Sequence, residues 1–322
     1  TNSADTGVTI TRQQWKWSIL AGMASYLDAG SIVALGAGLA FLQAEFNLSD
    51  TAVGTLAAIG PNALGCAIGA FLGGWLGDKL GRKRIYQYDL MVYAFGILLM
   101  AFAVNPEMLF IGTFIVGVSV GADVPTSLAL VGEFAPDKAR GKLLGFTQIA
   151  WCMGPVIVLL LAAALSTLGL LGIRIIFFHL FLVAIVTWAL RRGLTESTRW
   201  KEAKKAYDIA PSKKRNLALL FSGANFKAIV WTTVIYLFWN LAAGTAGAFN
   251  SYLIKMHTGG SQAEATIMPC VAFITTALVT VWVFMKYSDR SFFARKSMWG
   301  VGAVMQIVAY ALFMVLPFSI PV

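Results

Sequence analysis

The sequence predicts an all-α polytopic membrane protein, built as a six-helix N-terminal half followed by the first three helices of a repeated C-terminal half. This prediction rests on the composition, on nine long apolar runs and on an internal repeat. Of the 322 residues, 58% are hydrophobic and 12% are charged, and the mean hydropathy is +0.73. A water-soluble chain cannot bury that much apolar surface, because its surface shrinks too slowly with size. We therefore expect a lipid bilayer around most of the chain.

Nine apolar runs are long enough to cross a membrane. A crossing helix needs about 20 apolar residues to span about 30 Å of hydrocarbon. The predicted spans are 17–44, 51–76, 86–104, 108–132, 143–167, 172–192, 226–253, 265–286 and 296–317. Glycine is frequent within them, which favours close helix packing in lipid.

The loops between these runs predict their orientation. Lys and Arg concentrate in the loops on one side, which also receives the basic stretch from Arg191 to Lys227. Such loops face the cytoplasm, so we expect a cytoplasmic N-terminus in the inner or plasma membrane of the cell. Because topology accounts for the net charge of +10, no nucleic-acid partner is expected.

The cysteines indicate no metal site and no disulfide framework. All three lie inside apolar runs, and their spacing matches no metal motif. We expect no cofactor.

A polar, basic stretch divides the chain. Residues 193–225 include Pro211 and interrupt the apolar pattern. The predicted organisation is therefore a transmembrane half at 1–192, a cytoplasmic linker at 193–225, and the first three helices of the C-terminal half at 226–322.

An offset of 211 residues relates the two halves. Asp78 is followed by a base and then by a basic pair, and so is Asp289, 211 residues later (289 − 78). The same offset joins the start of the first span to the start of the seventh. A duplicated six-helix unit would continue to about residue 403, so we expect this chain to be part of a longer protein.

Four stretches resemble the major facilitator superfamily. Gly74–Arg84 is similar to its loop signature between helices two and three. Tyr26–Gly30, Glu133 with Arg140-Gly141, and Glu196–Trp200 resemble segments of its sugar-porter branch. Two departures stand beside them: Gly112-Thr113-Phe114 lacks the arginine that often partners the helix-one acid, and the helix-seven signature of sugar porters is absent.

The resemblance implies a twelve-helix carrier that works by alternating access, with helices one, four, seven and ten around the cavity. It also implies an inner gate formed by charges at the cytoplasmic helix ends. The predicted gating residues are Asp78, Arg82, Glu133, Arg140, Glu196 and Arg199.

Two acids within the spans are the predicted proton-coupling residues. Charge at membrane depth is costly, so each such residue is a functional hypothesis. Asp28 lies in span one and Asp123 in span four, and both would face the cavity. Asp89, near the cytoplasmic edge of span three, is assigned a structural role.

Span seven supplies most of the predicted substrate contacts. Amide and aromatic side chains can bind hydroxyl groups without carrying charge. The predicted substrate-binding residues are Tyr236, Trp239, Asn240 and Asn250, with Gln148 in span five.

The spans contain no mid-span Lys or Arg, and an organic anion would need one. The sequence therefore predicts a monomeric secondary transporter, which couples protons to the symport of a small neutral sugar or polyol. A proton-coupled exporter of organic cations or drugs, an organic-acid symporter and a non-transporting nutrient sensor of the same fold remain open. An enzyme or ATP-driven pump is disfavoured, since neither a nucleophile motif nor a Walker loop occurs.

Overall fold

The computed structural model describes residues 10–136, 139–193, 196, 200–202, 204–205, 222–258, 261–288 and 290–315. Within these ranges every regular element is a helix. The helices are α1 (Arg12–Phe46), α2 (Asp50–Ile59), α3 (Leu64–Leu80), α4 (Arg82–Ala101), α5 (Pro106–Phe134), α6 (Arg140–Ala164), α7 (Leu170–Arg191), α8 (Gly223–Thr258), α9 (Gln262–Val279), α10 (Met285–Tyr287) and α11 (Phe292–Val315). A short 3₁₀ turn, Ser166–Leu168, precedes α7, and a π-helical stretch, Thr280–Phe284, joins α9 to α10.

All nine predicted spans contain helix, which confirms an all-α membrane fold. Seven helical segments among the described residues are long and apolar enough to cross a membrane. The remaining two long helices, α4 and α11, begin with charged turns, and α4 also carries Asp89. Helix α4 nevertheless packs between α5 and α7 within the bundle.

The second predicted span, 51–76, is broken, although the sequence predicts one continuous helix there. Helix α2 ends at Ile59, and α3 begins at Leu64 after a turn. Pro61 explains the break, because proline has no N–H for the helical ladder and its ring clashes with the preceding turn. The break places the Asn62 side chain against α8.

Local capping fixes several helix starts. The Asn105 side chain accepts from the backbone N–H of Met108 at 2.8 Å, and Pro106 occupies the first turn of α5. At the start of α9, Ser261 and Glu264 form a reciprocal capping box. Such caps satisfy backbone donors that a helix terminus leaves free.

Glycines let the helices of the N-terminal half approach closely. On α3, a Cβ atom at Gly69 or Gly73 would collide with the backbone of α5 at Val118 or Ala122. Small residues allow such contacts in lipid. Helix α1 packs on α5, α6 and α7, and the large apolar cluster lies among them.

The bundle has two ends, defined by the loops. The basic end is where α1 and α4 begin, and the opposite end is where α1 and α8 finish. In the opposite half of the bundle, α1 meets α8 so closely that a Cβ at Gly36 would lie 2.5 Å from the Ala248 carbonyl oxygen. Helix α6 packs on α9. These two interfaces join α1 and α6 to α8 and α9.

Three hydrogen bonds reinforce the junction between the halves. Asn62 Nδ2 donates to the Gly244 carbonyl at 2.6 Å, and Gln262 Nε2 donates to the Ala37 carbonyl at 2.8 Å. The Tyr252 hydroxyl donates to Gln43 Oε1 at 2.9 Å. The junction is thus polar as well as closely packed.

Candidate functional site

Asp28 lies within α1, and its side chain is partly accessible. The indole Nε1–H of Trp151 on α6 donates to Asp28 Oδ2 at 3.2 Å. Asp28 takes part in no ion pair among the described residues. Its one side-chain partner there is therefore a neutral donor, which compensates little of a carboxylate's charge.

Trp151 also reaches the second half of the chain. Its ring lies 5.8 Å from that of Phe273 on α9, centroid to centroid, with a tilt of 57° between the planes. The residue that binds Asp28 is therefore part of the α6–α9 interface.

Asp123 on α5 has a different environment. The two terminal nitrogens of Arg191, Nη1 and Nη2, each donate to Asp123 Oδ2 at 3.1 Å, and Nη1 also donates to Oδ1 at 3.3 Å. Asp89 Oδ1 lies 3.7 Å from the same guanidinium. All three side chains are buried, so two carboxyls share one arginine. No hydrogen bond joins Asp28 to Asp123 in the described part of the chain.

Arg191 is held from several directions. Its guanidinium donates to the carbonyls of Tyr86 and Leu20, each at 3.2 Å, and lies 3.5 Å from the centre of the Tyr86 ring. This arrangement was not predicted from the sequence, because Arg191 was assigned to the basic stretch after the sixth span. The available signal was that Arg191 lies within the predicted span 172–192, while the third and fourth spans each carry an acid.

Four of the six predicted gating residues meet at the basic end. Arg82 lies 3.1 Å from Glu133 Oε1 and 3.7 Å from Asp78. Glu196 accepts from the backbone N–H groups of Arg82 and Lys83 at 3.2 and 3.1 Å, and so caps α4. A carboxylate is favourable at a helix N-terminus.

The other two predicted gating residues are Arg140 and Arg199. Arg140 begins α6 at the same end. Arg199 lies outside the described residues.

Gly81 makes the turn between α3 and α4 that brings this cluster together. Its φ of +99° is available to glycine and strained for other residues, and a Cβ there would lie 2.5 Å from Glu196 Oε2. We expect Gly81→Ala to lower the stability by about 1–3 kcal/mol and to lower the Tm of the purified protein. Gly74→Ala is the matched control, since a Cβ there meets nothing within 4 Å. Equal Tm values for the two variants would contradict the prediction.

Two of the four predicted substrate residues of α8, Tyr236 and Asn240, line an open cavity of about 540 Å³. It is lined by Thr232, Thr233, Tyr236, Leu237 and Asn240. The two threonines were not predicted, although they lie about two turns before Asn240 on the same helix.

The other predicted substrate residues are not part of this lining. Trp239 packs against Tyr236, with ring centroids 5.7 Å apart. Asn240 and Asn62 both approach Gly244, one from each half of the chain. The side chains of Gln148 and Asn250 are exposed.

The described residues include no group of three or more His, Cys, Asp or Glu side chains placed to hold a metal ion. The described residues do include side chains that can form hydrogen bonds. Carboxyl, amide, hydroxyl and indole groups lie between the apolar helices.

Long apolar helices packed through glycines, with polar groups between them, define a helical membrane transport protein. The chain belongs to the Major Facilitator Superfamily, whose family model matches residues 18–322. It is a multi-pass membrane protein of a transporter family and not an enzyme.

Relatives and solved structures agree with this assignment. The chain is 40% identical over 312 residues to the minor myo-inositol transporter IolF of Bacillus subtilis (strain 168), covering 95% of this chain and 70% of the relative. It is 31% identical over 192 residues to the galactose-proton symporter of Escherichia coli (strain K12), covering 58% and 39%. The fold is similar to that of the proton:xylose symporter XylE, with a TM-score of 0.70 and 19% identity, covering 84% of this chain and 68% of that one. The partially occluded inward-open structure of XylE from E. coli is similar with a TM-score of 0.64 and 17% identity, covering 86% of this chain and 74% of that one.

Proposed function

We propose that the protein is a secondary transporter that carries a small neutral sugar or polyol together with a proton by alternating access. The observation that carries the proposal is Asp28, an acid inside an apolar helix whose described partner is the neutral indole of Trp151. The names of the relatives, a myo-inositol transporter and a galactose-proton symporter, support the same substrate class.

Asp28 is the proposed proton-coupling residue. A carboxylate without a cation nearby is costly away from water, and binding a proton removes that cost. Asp28 can therefore take up a proton while it is open to one side of the membrane and release it on the other. Asp123 is the weaker candidate, because Arg191 already neutralises its charge.

The proposed solute is uncharged because the described lining of the cavity contains no cation. Its lining consists of hydroxyl, amide, aromatic and aliphatic groups, which can bind the hydroxyl groups of a sugar or polyol. The buried Arg191 is occupied by Asp123 and is not available to an organic anion. Asn240, Tyr236 and Trp239, with Gln148 and Asn250, are the proposed substrate contacts.

The basic end is proposed to face the cytoplasm. This places the N-terminus inside the cell and the protein in the inner or plasma membrane, with basic loops on the inner side. The charge cluster of Asp78, Arg82, Glu133 and Glu196 would then stabilise the inner gate, with Arg140 and Arg199 as further members. The proposed functional unit is a monomer. Its halves at 1–192 and from 226 onward, joined by the linker at 193–225, move relative to each other.

The α1–α8 contact is the proposed outer gate. Because a Cβ at Gly36 would meet the Ala248 carbonyl oxygen at 2.5 Å, we expect Gly36→Val to prevent closure. Solute binding from outside should survive, while solute exchange across proteoliposomes is lost. Gly54→Val, at a position with nothing within 4 Å, is the control. Normal exchange by Gly36→Val would exclude this gate.

Solute-dependent proton movement in proteoliposomes tests the proposed function directly. The panel contains neutral sugars and polyols, organic cations and organic anions. External alkalinisation driven by a neutral solute is expected. Proton movement with organic cations alone would indicate an exporter, and movement with organic anions alone an organic-acid symporter. Binding of a neutral solute without any transport would indicate a nutrient sensor.

A further inference from the structure

Trp151 is in contact both with the proposed proton site and with the half of the chain that follows the linker. Its indole Nε1–H donates to Asp28 Oδ2, while its ring packs on Phe273 of α9. The resemblance to sugar porters would place an arginine opposite the helix-one acid, but Thr113 occupies that position here. The donor to Asp28 therefore comes from α6, at the boundary between the halves.

The backbone around Trp151 is fixed against α1. A Cβ at Gly22 would lie 3.0 Å from Ala150 Cβ, and a Cβ at Gly154 would collide with the Tyr26 carbonyl. These two contacts flank Trp151 along α6. A change in the position of its ring must therefore be absorbed on the α9 side, where Phe273 lies.

The strength of the Trp151–Asp28 hydrogen bond depends on whether the Asp28 carboxyl is protonated. A hydrogen bond to an ionised carboxylate is shorter and roughly twice as strong as one to a neutral acceptor. Loss of the proton draws the indole toward Asp28, and binding of the proton weakens that attraction. One side chain thus responds to the charge of Asp28 and transmits the response to Phe273.

We propose that Trp151 is the positioning residue that links the protonation state of Asp28 to the α6–α9 contact between the two halves of the transporter. This inference rests on the proposed function, since it requires Asp28 to exchange a proton during transport.

Among the described residues, the titratable groups near Asp28 are mostly acids, and none forms an ion pair with it. Cys66 on α3, Tyr93 on α4 and Asp123 on α5 lie close enough for their charges to interact with that of Asp28. The adjacent Tyr26 hydrogen-bonds to His179 of α7, with 2.8 Å between its hydroxyl oxygen and Nε2. A pH response that depends on the indole N–H is therefore attributable to the Trp151–Asp28 pair.

The test compares three variants of the protein in proteoliposomes. Trp151→Phe keeps a ring against Phe273 and removes the N–H donor. Phe273→Leu keeps the donor and removes the aromatic partner. Trp282→Phe, at an exposed position in the π-helical stretch, is the matched control. Proton-driven accumulation of a neutral sugar or polyol, its pH profile, and counterflow at equal pH are measured for each.

For Trp151→Phe we expect about a tenfold loss of proton-driven accumulation, because one hydrogen bond to a charged group is removed. Its pH midpoint should move by about one unit to higher pH, and counterflow should stay within about twofold of wild type. For Phe273→Leu we expect a loss of accumulation relative to counterflow at an unchanged midpoint. The control should match wild type.

Three results would overturn the inference. Trp151→Phe could match Trp282→Phe, or Phe273→Leu could retain full accumulation, or both activities of Trp151→Phe could fall in parallel. If Trp151→Phe does not fold, Phe273→Leu alone decides the question. A wild-type protein that moves no protons with any solute refutes the proposed function itself, and the inference with it.

Discussion

Replacing Asp28 by asparagine is expected to reduce solute-driven proton movement to the level of empty liposomes, while counterflow of the solute persists. The amide has nearly the shape of the neutral acid and can still accept from Trp151, but it cannot bind and release a proton. Proton-driven accumulation and counterflow should be measured side by side in proteoliposomes.

Glu107→Gln is the control for this experiment, since Glu107 is an exposed acid in the first turn of α5. It should retain both activities. Proton-driven accumulation by Asp28→Asn would exclude Asp28 as the coupling residue and move the assignment to Asp123 or Asp89. Loss of counterflow together with accumulation would instead indicate a role in solute binding or folding.

Replacing Arg191 by methionine is expected to destabilise the N-terminal half severely. The side chain is fully buried, and its removal leaves Asp89 and Asp123 without their cation. Breaking a buried ion pair by removing one partner costs about 3–5 kcal/mol, because an unpaired charge remains. The variant should show a lower Tm and a lower yield of monodisperse protein.

The chain provides a control for this change in the next residue. Arg192 is exposed and packs on Trp188, so Arg192→Met should change Tm little. Adding Asp123→Asn to Arg191→Met should recover part of the loss, because it removes one of the two stranded carboxylates. Equal Tm values for Arg191→Met and Arg192→Met would show that the buried pair contributes no net stability.

The fold was predictable from sequence because hydropathy reports burial in lipid directly. Nine apolar runs predicted helices where helices occur. The break at Pro61 was missed because the run as a whole is apolar, although Gly60-Pro61-Asn62 within it is a turn signal. The clustering of Asp78, Arg82, Glu133 and Glu196 was anticipated, since the ends of adjacent helices at one membrane face lie close together.

The interior of the site was less predictable, because it depends on which way each helix is rotated. Arg191 and Arg192 are neighbours in sequence, yet one is fully buried and the other is exposed. No local pattern separates them. Trp151 was missed for a related reason, since aromatic residues commonly fill helix packing in lipid and only the fold places this one beside Asp28. Whether Asp28 and Asp123 act together also required the rotation of α1 relative to α5.

The junction that joins α1 and the α2–α3 turn to α8 and α9 combines a close backbone contact with three amide or hydroxyl hydrogen bonds. Water can replace each of those bonds when the junction separates, so each adds only about 0.5–1.5 kcal/mol to the closed form. A wholly apolar interface of the same size would stabilise the closed form more strongly, because exposing apolar surface on opening costs free energy in proportion to its area. The closed and open forms can therefore lie within a few kcal/mol of each other, which is a difference that the binding of one small solute is able to reverse.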